Sequence, residues 1–288
     1  MKYGIVVNPA AGTSSIDEKS RILKQASEVL VDCEVAGLDT TAATELCDCA
    51  RTLAERVAVL IVAGGDGTVS DVINSVDLDE VALSYLPLGS GKALNYSLNL
   101  PQSIPAVAKQ IREGTRRSID LILCDGNKKA MFASVGIDGH IIQERLKYVR
   151  EGLEGLTGYE RAIVKCLLGG YKRPDARVTI DDVTFEVPHA FSLMVTKIPF
   201  YGYGYKVVRK AKLGDGNLHL LIINSAAQVI YGFVSTFLGK NRAGDYRTGK
   251  SISITTTKKE YLETHGDLVR EGSDFKFEIL PGALNMIY

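Results

Sequence analysis

The run Ile61-Val-Ala-Gly-Gly-Asp-Gly-Thr-Val-Ser-Asp-Val-Ile-Asn74 sets the architecture of this chain. The apolar stretch Val57-Ala-Val-Leu-Ile-Val-Ala63 leads into it, with the length and continuity of a strand buried on both faces. After the glycines, Val69, Val72, Ile73 and Val76 recur at i, i+3, i+4 and i+7, which is one face of a helix. Thr68 and Asp71 make a capping-box-like pair at its start. A strand, a glycine turn and a helix N-terminus in succession let the backbone approach a phosphate while the first helical amides point at it. Asp66 places an acid where phosphate would repel it, which points to a Mg²⁺ ion or to a proton that must move. A plain tight turn with an aspartate helix cap would use the same residue types.

The same grammar recurs on either side. Tyr3-Gly-Ile-Val-Val7 reads as a short strand and runs into Asn8-Pro-Ala-Ala-Gly12, followed by the hydroxyls of Thr13, Ser14 and Ser15. Helical periodicity over 17–31 and 41–56 brackets a short strand at 33–36. Val81–Leu86 is a further strand, and Pro87-Leu-Gly-Ser-Gly-Lys-Ala-Leu-Asn95 a third glycine turn at a strand end. This last stretch is no P-loop: Leu86 stands where the first glycine belongs, and Ala93 replaces the Ser/Thr that would hold Mg²⁺. Strands alternating with helices predict an α/β domain with a parallel sheet covered on both faces. Ligands of such sheets sit beyond the C-terminal strand ends, where Asn8 and Asp66 fall. A helix over Ile104–Gly114, closed by Gly114, and a strand over Arg116–Cys124 complete this part.

Beyond a hairpin-type turn at Asp125-Gly126-Asn127 the pattern changes. Short β-rich runs at Ala130–Val135, Val178–Val187, Ala190–Thr196, Asn217–Ile223 and Ser251–Thr257 predict an antiparallel β-sandwich. Gly136–Gly139 reads as a turn, and 141–149 and 159–168 as helices. Ala226–Gly239 carries Val229, Ile230, Phe233, Phe237 and Leu238 at helical spacing, either as a helix packed on the sandwich or as one facing lipid. Lys240, Arg242, Arg247 and Lys250 follow, a basic set that could meet anionic headgroups or water.

Composition narrows the function. The 288 residues suffice for two domains, and 34 Lys and Arg balance 34 Asp and Glu, so no basic field advertises nucleic acid. The chain shows no signal peptide and no apolar run of the ~20 residues a spanning helix needs. Five cysteines without a spacing framework predict reduced thiols and a cytoplasmic place.

Gly64-Gly65-Asp66-Gly67-Thr68 resembles the nucleotide-binding signature of the diacylglycerol kinase catalytic-domain family, which includes sphingosine kinases and YegS-like lipid kinases; NAD kinases share the GGDG core. The resemblance spans nearly the whole chain. Asn8 and Gly12 match the family's Asn-Pro-x-x-Gly turn. Gly89, Ser90, Gly91, Ala93 and Leu94 match the Gly-Ser-Gly-Asn-Ala-Leu of sphingosine kinases, with Lys92 in place of the asparagine. Arg116–Cys124 resembles the segment that crosses into the second domain, and 275–288 the closing segment that returns to the first. The implied domains are 1–124 for nucleotide and 125–274 for lipid.

The resemblance implies an ATP-dependent kinase acting on a lipid hydroxyl. Its nucleotide site would comprise Asn8, Gly12, Gly64, Gly65, Gly67, Thr68, Gly89, Ser90 and Gly91, with Asp66 orienting Mg²⁺ or the acceptor. Gly214-Asp215-Gly216-Asn217-Leu218-His219 stands where the family has Asp-Asp-Gly-x-Leu-Asp, leaving Asp215 as a weak Mg²⁺ ligand. His265-Gly266-Asp267 stands where the family has Asp-Gly-Glu, whose Asp is the proposed general base. His265 and Asp267 are therefore catalytic candidates, with Asp267 expected to raise the His265 pKa. Transient contact with the inner membrane face and pairing with a second copy are further expectations. The alternatives are NAD kinase activity, or a nucleotide- or lipid-binding protein that has lost catalysis.

Overall fold

The computed structural model describes residues 1–153, 155–201, 204–229, 231 and 244–288, with the backbone alone at 155 and 156. The chain forms two compact units. The first comprises Met1–Leu121, Phe200–Tyr205 and Pro281–Tyr288, and the second Ile122–Pro199 and Lys206–Leu280.

The first unit is the α/β domain that the apolar runs predict. In chain order it holds β1 (Tyr3–Val7), α1 (Ile16–Leu30), β2 (Cys33–Ala36), α2 (Ala43–Ala54), β3 (Val59–Gly64), α3 (Asp66–Ile73), β4 (Ala82–Pro87), α4 (Ala93–Ser97) and α5 (Ile104–Glu113). β4, β3, β1 and β2 lie side by side, all parallel, with Ala63 of β3 opposite Val7 of β1 and Leu86 of β4. That register brings the ends of β1, β3 and β4 level, so their three following turns emerge together. Every residue of β1 and β3 is buried, which is why their sequences are unbroken apolar runs rather than alternations. α1 packs on α5 and α2 on α3.

Two local expectations need correction. α3 begins at Asp66 with Gly65 as its N-cap, so Thr68 is the third helical residue rather than the cap. Gly114 is extended (φ −71°, ψ 166°), not the left-handed cap expected after α5. It is a glycine because a Cβ there would stand 2.6 Å from the Gln110 carbonyl and 3.2 Å from Ile287.

The second unit is the predicted antiparallel, sandwich-like domain. β5 (Arg116–Cys124) enters it and turns into β6 (Lys128–Ala130) through Asp125 and Gly126, both at positive φ. Next come β7 (Phe132–Gly136), α6 (Ile137–Arg150), α7 (Gly155–Leu168), β8 (Ala176–Ile180), β9 (Val183–Val187) and β10 (Ser192–Thr196). β11 (Phe200–Tyr201) and β12 (Tyr205–Lys206) form a short ribbon, followed by β13 (Leu218–Ile223), β14 (Asp245–Gly249), β15 (Ser251–Thr264) and β16 (Asp267–Ile287). β14, β13, β10, β7, β15 and β16 are successive antiparallel neighbours. Val195, Leu220, Leu262, Phe275 and Phe277 are among the side chains of its core.

Gly136–Gly139 is the first turn of α6 and not a loop: Gly136 (φ 124°) is the N-cap, and its missing Cβ would clash with the Phe191 carbonyl at 2.7 Å. The run 178–187 is a hairpin, broken at Asp181 (φ 51°). Of the helix expected over 226–239, residues 226–229 and 231 are helical, and the rest lies outside the described residues, as do Lys240 and Arg242. Arg247 sits on β14, paired with Asp245 at 2.9 Å and stacked over the Phe185 ring. No described helix is long and apolar enough to cross a membrane.

Candidate active site

The three turns after β1, β3 and β4 interlock. The Asn8 amide donates to the Ala63 carbonyl at 3.0 Å, and its side-chain Nδ2 donates to Thr68 Oγ1 at 3.0 Å. The Asn8 Oδ1 takes the Ala10 amide at 2.9 Å, closing its own turn. The Gly64 carbonyl accepts the amides of Leu88 and Gly89 (2.9 and 2.8 Å) and the Tyr85 hydroxyl (3.2 Å). Two glycines permit this approach. Gly12 (φ 69°) would put a Cβ 2.2 Å from the Leu88 carbonyl oxygen, and Gly89 would put one 2.4 Å from the Gly65 Cα. The result is a backbone cradle at the C-terminal edge of the parallel sheet, with the N-terminus of α3 beside it. Asn8, Gly12, Gly64, Gly65, Gly67, Thr68 and Gly89 all belong to this cluster, and Ser90 and Gly91 continue its third turn.

Asp66 plays a part that its place in the sequence does not suggest. Its Oδ1 accepts the Leu94 amide at 2.9 Å and its Oδ2 the Ala93 amide at 3.1 Å. The carboxylate thus caps α4, whose own N-cap, Lys92, is left-handed (φ 54°) and offers no side-chain bond. Burial raises the Asp66 pKa, and the two amides work against that rise. The asparagine that the resembling family carries at position 92 is the residue type that tolerates φ > 0 best after glycine. Lys19, which no motif singles out, is buried in α1 and donates to the Pro9 carbonyl at 2.6 Å, bracing the first turn from below.

In the second unit the expected metal ligand is otherwise engaged. Asp215 Oδ1 accepts from the Lys197 ammonium at 2.8 Å, and Lys197 is fully buried. The same ammonium donates to the Asn217 carbonyl at 2.5 Å, and His219 Nε2 lies 3.3 Å from the Asp215 carboxylate. Burial alone would raise the Asp215 pKa, but the Lys197 bond and charge, with help from His219 and the Asn217 amide, bring it below the usual value. Burial lowers the His219 pKa, and Asp215 partly offsets this. A cation fixed by a carboxylate and a carbonyl already fills the role of an ion there. Asp215, expected to be at most a weak Mg²⁺ ligand, is thus engaged by a cation of the protein itself. Each Asp66 oxygen accepts one amide; among the described residues no group of three or more His, Cys, Asp or Glu could hold a metal.

His265 and Gly266 form the two-residue connection between β15 and β16, both left-handed (φ 52° and 88°), and Asp267 opens β16 opposite Thr264. His265 Nε2 accepts the Met131 amide at 2.9 Å. Its ring is thus the neutral Nδ1–H tautomer with its lone pair taken. Burial, with Lys128 adding to it, lowers the His265 pKa to about 4. The expected rise from Asp267 is overturned: desolvation and the Lys128 charge set the shift, and both lower it. Glu263, invisible as a candidate in the sequence, holds this turn. It is fully buried, takes the Gly266 amide on Oε2 and the Ser134 hydroxyl on Oε1 (2.9 Å each), and has its pKa pushed to about 8 by burial and by Asp138.

A depressed histidine has a defined stability signature. The unfolded chain binds the His265 proton below pH ~6.5 and the folded chain only below about 4, so this contribution is complete above 6.5 and is lost as pH falls toward 4. His265→Asn is expected to remove about 2 kcal/mol of the acid-induced loss between pH 6.5 and 4.5. Denaturant titrations of both proteins at the two pH values check this; parallel losses would show that the Met131 contact does not hold the ring neutral.

Known proteins match both units. The diacylglycerol kinase catalytic domain matches residues 2–124, and the YegS C-terminal NAD kinase beta sandwich-like domain matches residues 132–288. The chain belongs to the YegS-type family that the second of these domains defines, and it carries a diacylglycerol kinase catalytic domain ahead of it. Among its relatives is a protein named diacylglycerol kinase from Staphylococcus saprophyticus, 27% identical over 278 residues that cover 91% of this chain and 88% of that one. A crystal structure of a diacylglycerol kinase from Bacillus anthracis str. Sterne superposes with a TM-score of 0.78 at 24% identity, covering 100% of this chain and 96% of that one. An NAD kinase from Archaeoglobus fulgidus in complex with ATP gives a TM-score of 0.52 at 13% identity, covering 100% and 94%. These last two likenesses concern the fold alone. Against the pattern described above the glycine turns are kept, and positions 92, 214, 219, 265 and 267 depart from it.

Proposed function

We propose that the protein is an ATP-dependent lipid kinase that transfers the γ-phosphate to the hydroxyl of a diacylglycerol or sphingoid-type acceptor. The observation that carries this is the cradle built by the turns after β1, β3 and β4, in which Gly12 and Gly89 allow backbone to meet backbone. Phosphoryl transfer needs positioning and charge stabilisation more than covalent help from the protein. The first-turn amides of α3 offer donors to phosphate oxygens, while the Thr68 hydroxyl takes the Gly65 amide at 3.3 Å and the Asn8 side chain at 3.0 Å. Asp66 is a positioning residue that locks α4 to this cradle. A divalent ion would come on the nucleotide, since the described residues offer it no group of three carboxylates. Five free cysteines accord with a reducing, cytoplasmic place and work at the inner membrane face.

One observation favours a second reading, a nucleotide-binding relative without transferase activity. The family's base position holds His265, whose proton-accepting nitrogen is bonded to Met131. Assays with γ-labelled ATP against diacylglycerol, a sphingoid base and NAD separate the readings. Labelled lipid is the expected result. ATP binding without transfer to any of the three would establish the second reading, and labelled NAD alone would overturn both.

A further inference from the structure

Among the described residues two lysines are buried, and they differ in what faces them. Lys197 meets the Asp215 carboxylate at 2.8 Å. Lys19, 2% exposed, has three N–H donors and, among the described residues, one acceptor, the Pro9 carbonyl at 2.6 Å. Its ammonium forms no ion pair there. Asp17 and Glu18, beside it in α1, are exposed, and Asp66 bonds the α4 amides. A buried ammonium without a counter-charge burdens a fold. Packing does not call for it either: Leu23, Ala26 and Leu30 fill the same face of α1, and an apolar residue at 19 would continue their stripe.

The bond to Pro9 continues into the cradle. The Pro9 carbonyl and the Ala10 amide belong to one trans peptide and point in opposite directions. The Ala10 amide donates to Asn8 Oδ1 at 2.9 Å, and Asn8 Nδ2 donates to Thr68 Oγ1 at 3.0 Å. Each donor in this chain faces away from the ammonium, so a cation at its head polarises every bond in the same sense. Thr68 Oγ1 also accepts the Gly65 amide at 3.3 Å. Both lone pairs of that hydroxyl are then taken, and its hydrogen is left as a donor at the N-terminus of α3. The hydroxyl itself is buried, with Thr68 4% exposed. A chain of donors that starts at an uncompensated cation and ends at an open O–H fits an anion at its far end, and in this cradle that anion is a polyphosphate.

We propose that Lys19 is the counter-charge of the phosphate cradle: its buried ammonium, acting through Pro9 and Asn8 on Thr68, selects for the charge of a nucleotide tail. Lys19 is a positioning residue, since it works through other groups. This deepens the nucleotide-binding part of the lipid-kinase reading and rests on it.

The experiment is titration calorimetry of the full chain with ATP, ADP and AMP at fixed ionic strength. Lys19→Met keeps the length of the side chain and removes the charge. It should weaken ATP binding about tenfold or more, with the loss shrinking from ATP to ADP to AMP, because a missing charge is felt in proportion to the charge it faced. The melting temperature without nucleotide should stay within a few degrees of the wild type, as expected when an apolar residue of similar volume replaces an unpaired buried ion. Lys19→Gln, which keeps a donor without the charge, should show the same graded loss. An equal loss for all three nucleotides, or failure of both variants to fold, would show that the ammonium serves the fold alone and would overturn the proposal. Wild-type ATP binding that both variants retain in full rejects the role of Lys19 and leaves the cradle standing. A wild-type chain that binds none of the three nucleotides rejects the cradle reading itself, and the proposal with it.

Discussion

Gly89→Ala is expected to cut kcat/KM for ATP by about a hundredfold or more. The new methyl would lie 2.4 Å from the Gly65 Cα and 3.0 Å from the Gly65 nitrogen, both backbone atoms without a side chain that could swing aside. One of the two turns must move by close to an ångström, and displacements of that order at a reacting centre cost about 10²-fold in rate. The overpacking should also cost about 1–3 kcal/mol of stability. Gly65→Ala is the internal comparison, because its methyl would meet only the Gly89 Cα at 3.5 Å, an ordinary contact. It should change stability by less than about 1 kcal/mol. Thermal melts rank the two variants and steady-state assays read the rate. Equal melting temperatures, or a Gly89→Ala enzyme with normal kcat/KM, would remove the cradle from the nucleotide reading.

Lys197→Ala should destabilise the fold more than Gly89→Ala does. It deletes a fully buried ammonium and strands the Asp215 carboxylate and the Asn217 carbonyl that face it. Breaking one side of a buried pair typically costs about 3–5 kcal/mol, and the partial exposure of Asp215 puts this case near the lower end. Because the loop carries its own cation, the wild-type melting temperature should be the same in EDTA and in millimolar Mg²⁺. A wild-type protein stabilised by several degrees in Mg²⁺ would mean that an ion reaches the loop despite the lysine. A loss under about 1 kcal/mol in Lys197→Ala would mean that the ammonium contributes little.

Much of this arrangement could be read from the sequence because it rests on local pattern. The apolar runs at Val57–Ala63 and Val81–Leu86 give buried strands, and glycines placed directly after them give the turns. The change to short β-rich runs beyond Cys124 gives the second unit. What could not be read depends on contacts between distant residues. Nothing near Asp66 says that its carboxylate will cap a helix starting 27 residues later. Lys197 and Asp215 are 18 residues apart, and a lysine after an apolar strand reads as the start of a loop, not as a buried counter-ion. His265 and Met131 are 134 residues apart, so the bond that occupies its lone pair has no local signature, and a pKa argued from Asp267 alone points the wrong way. Glu263 lies inside a strand next to a register shift, where alternation no longer tells which side a residue faces.

The passage of the chain between its units bears on how it is made. The first unit is not a continuous piece: it borrows Phe200–Tyr205 and finishes with Pro281–Tyr288. That last piece supplies Met286, paired with Leu83 of β4, and the Ile287 carbonyl, which takes the Ser84 hydroxyl at 2.7 Å. Gly282 is fastened to the Asp120 carboxylate at 2.9 Å. On the ribosome, the parallel sheet therefore waits for Pro281–Tyr288 with one flank of β4 bare. At about 5–20 residues per second, roughly ten to thirty seconds separate the emergence of Leu121 from that of Pro281. During that interval an apolar strand edge of the kind that templates aggregation is open to other chains.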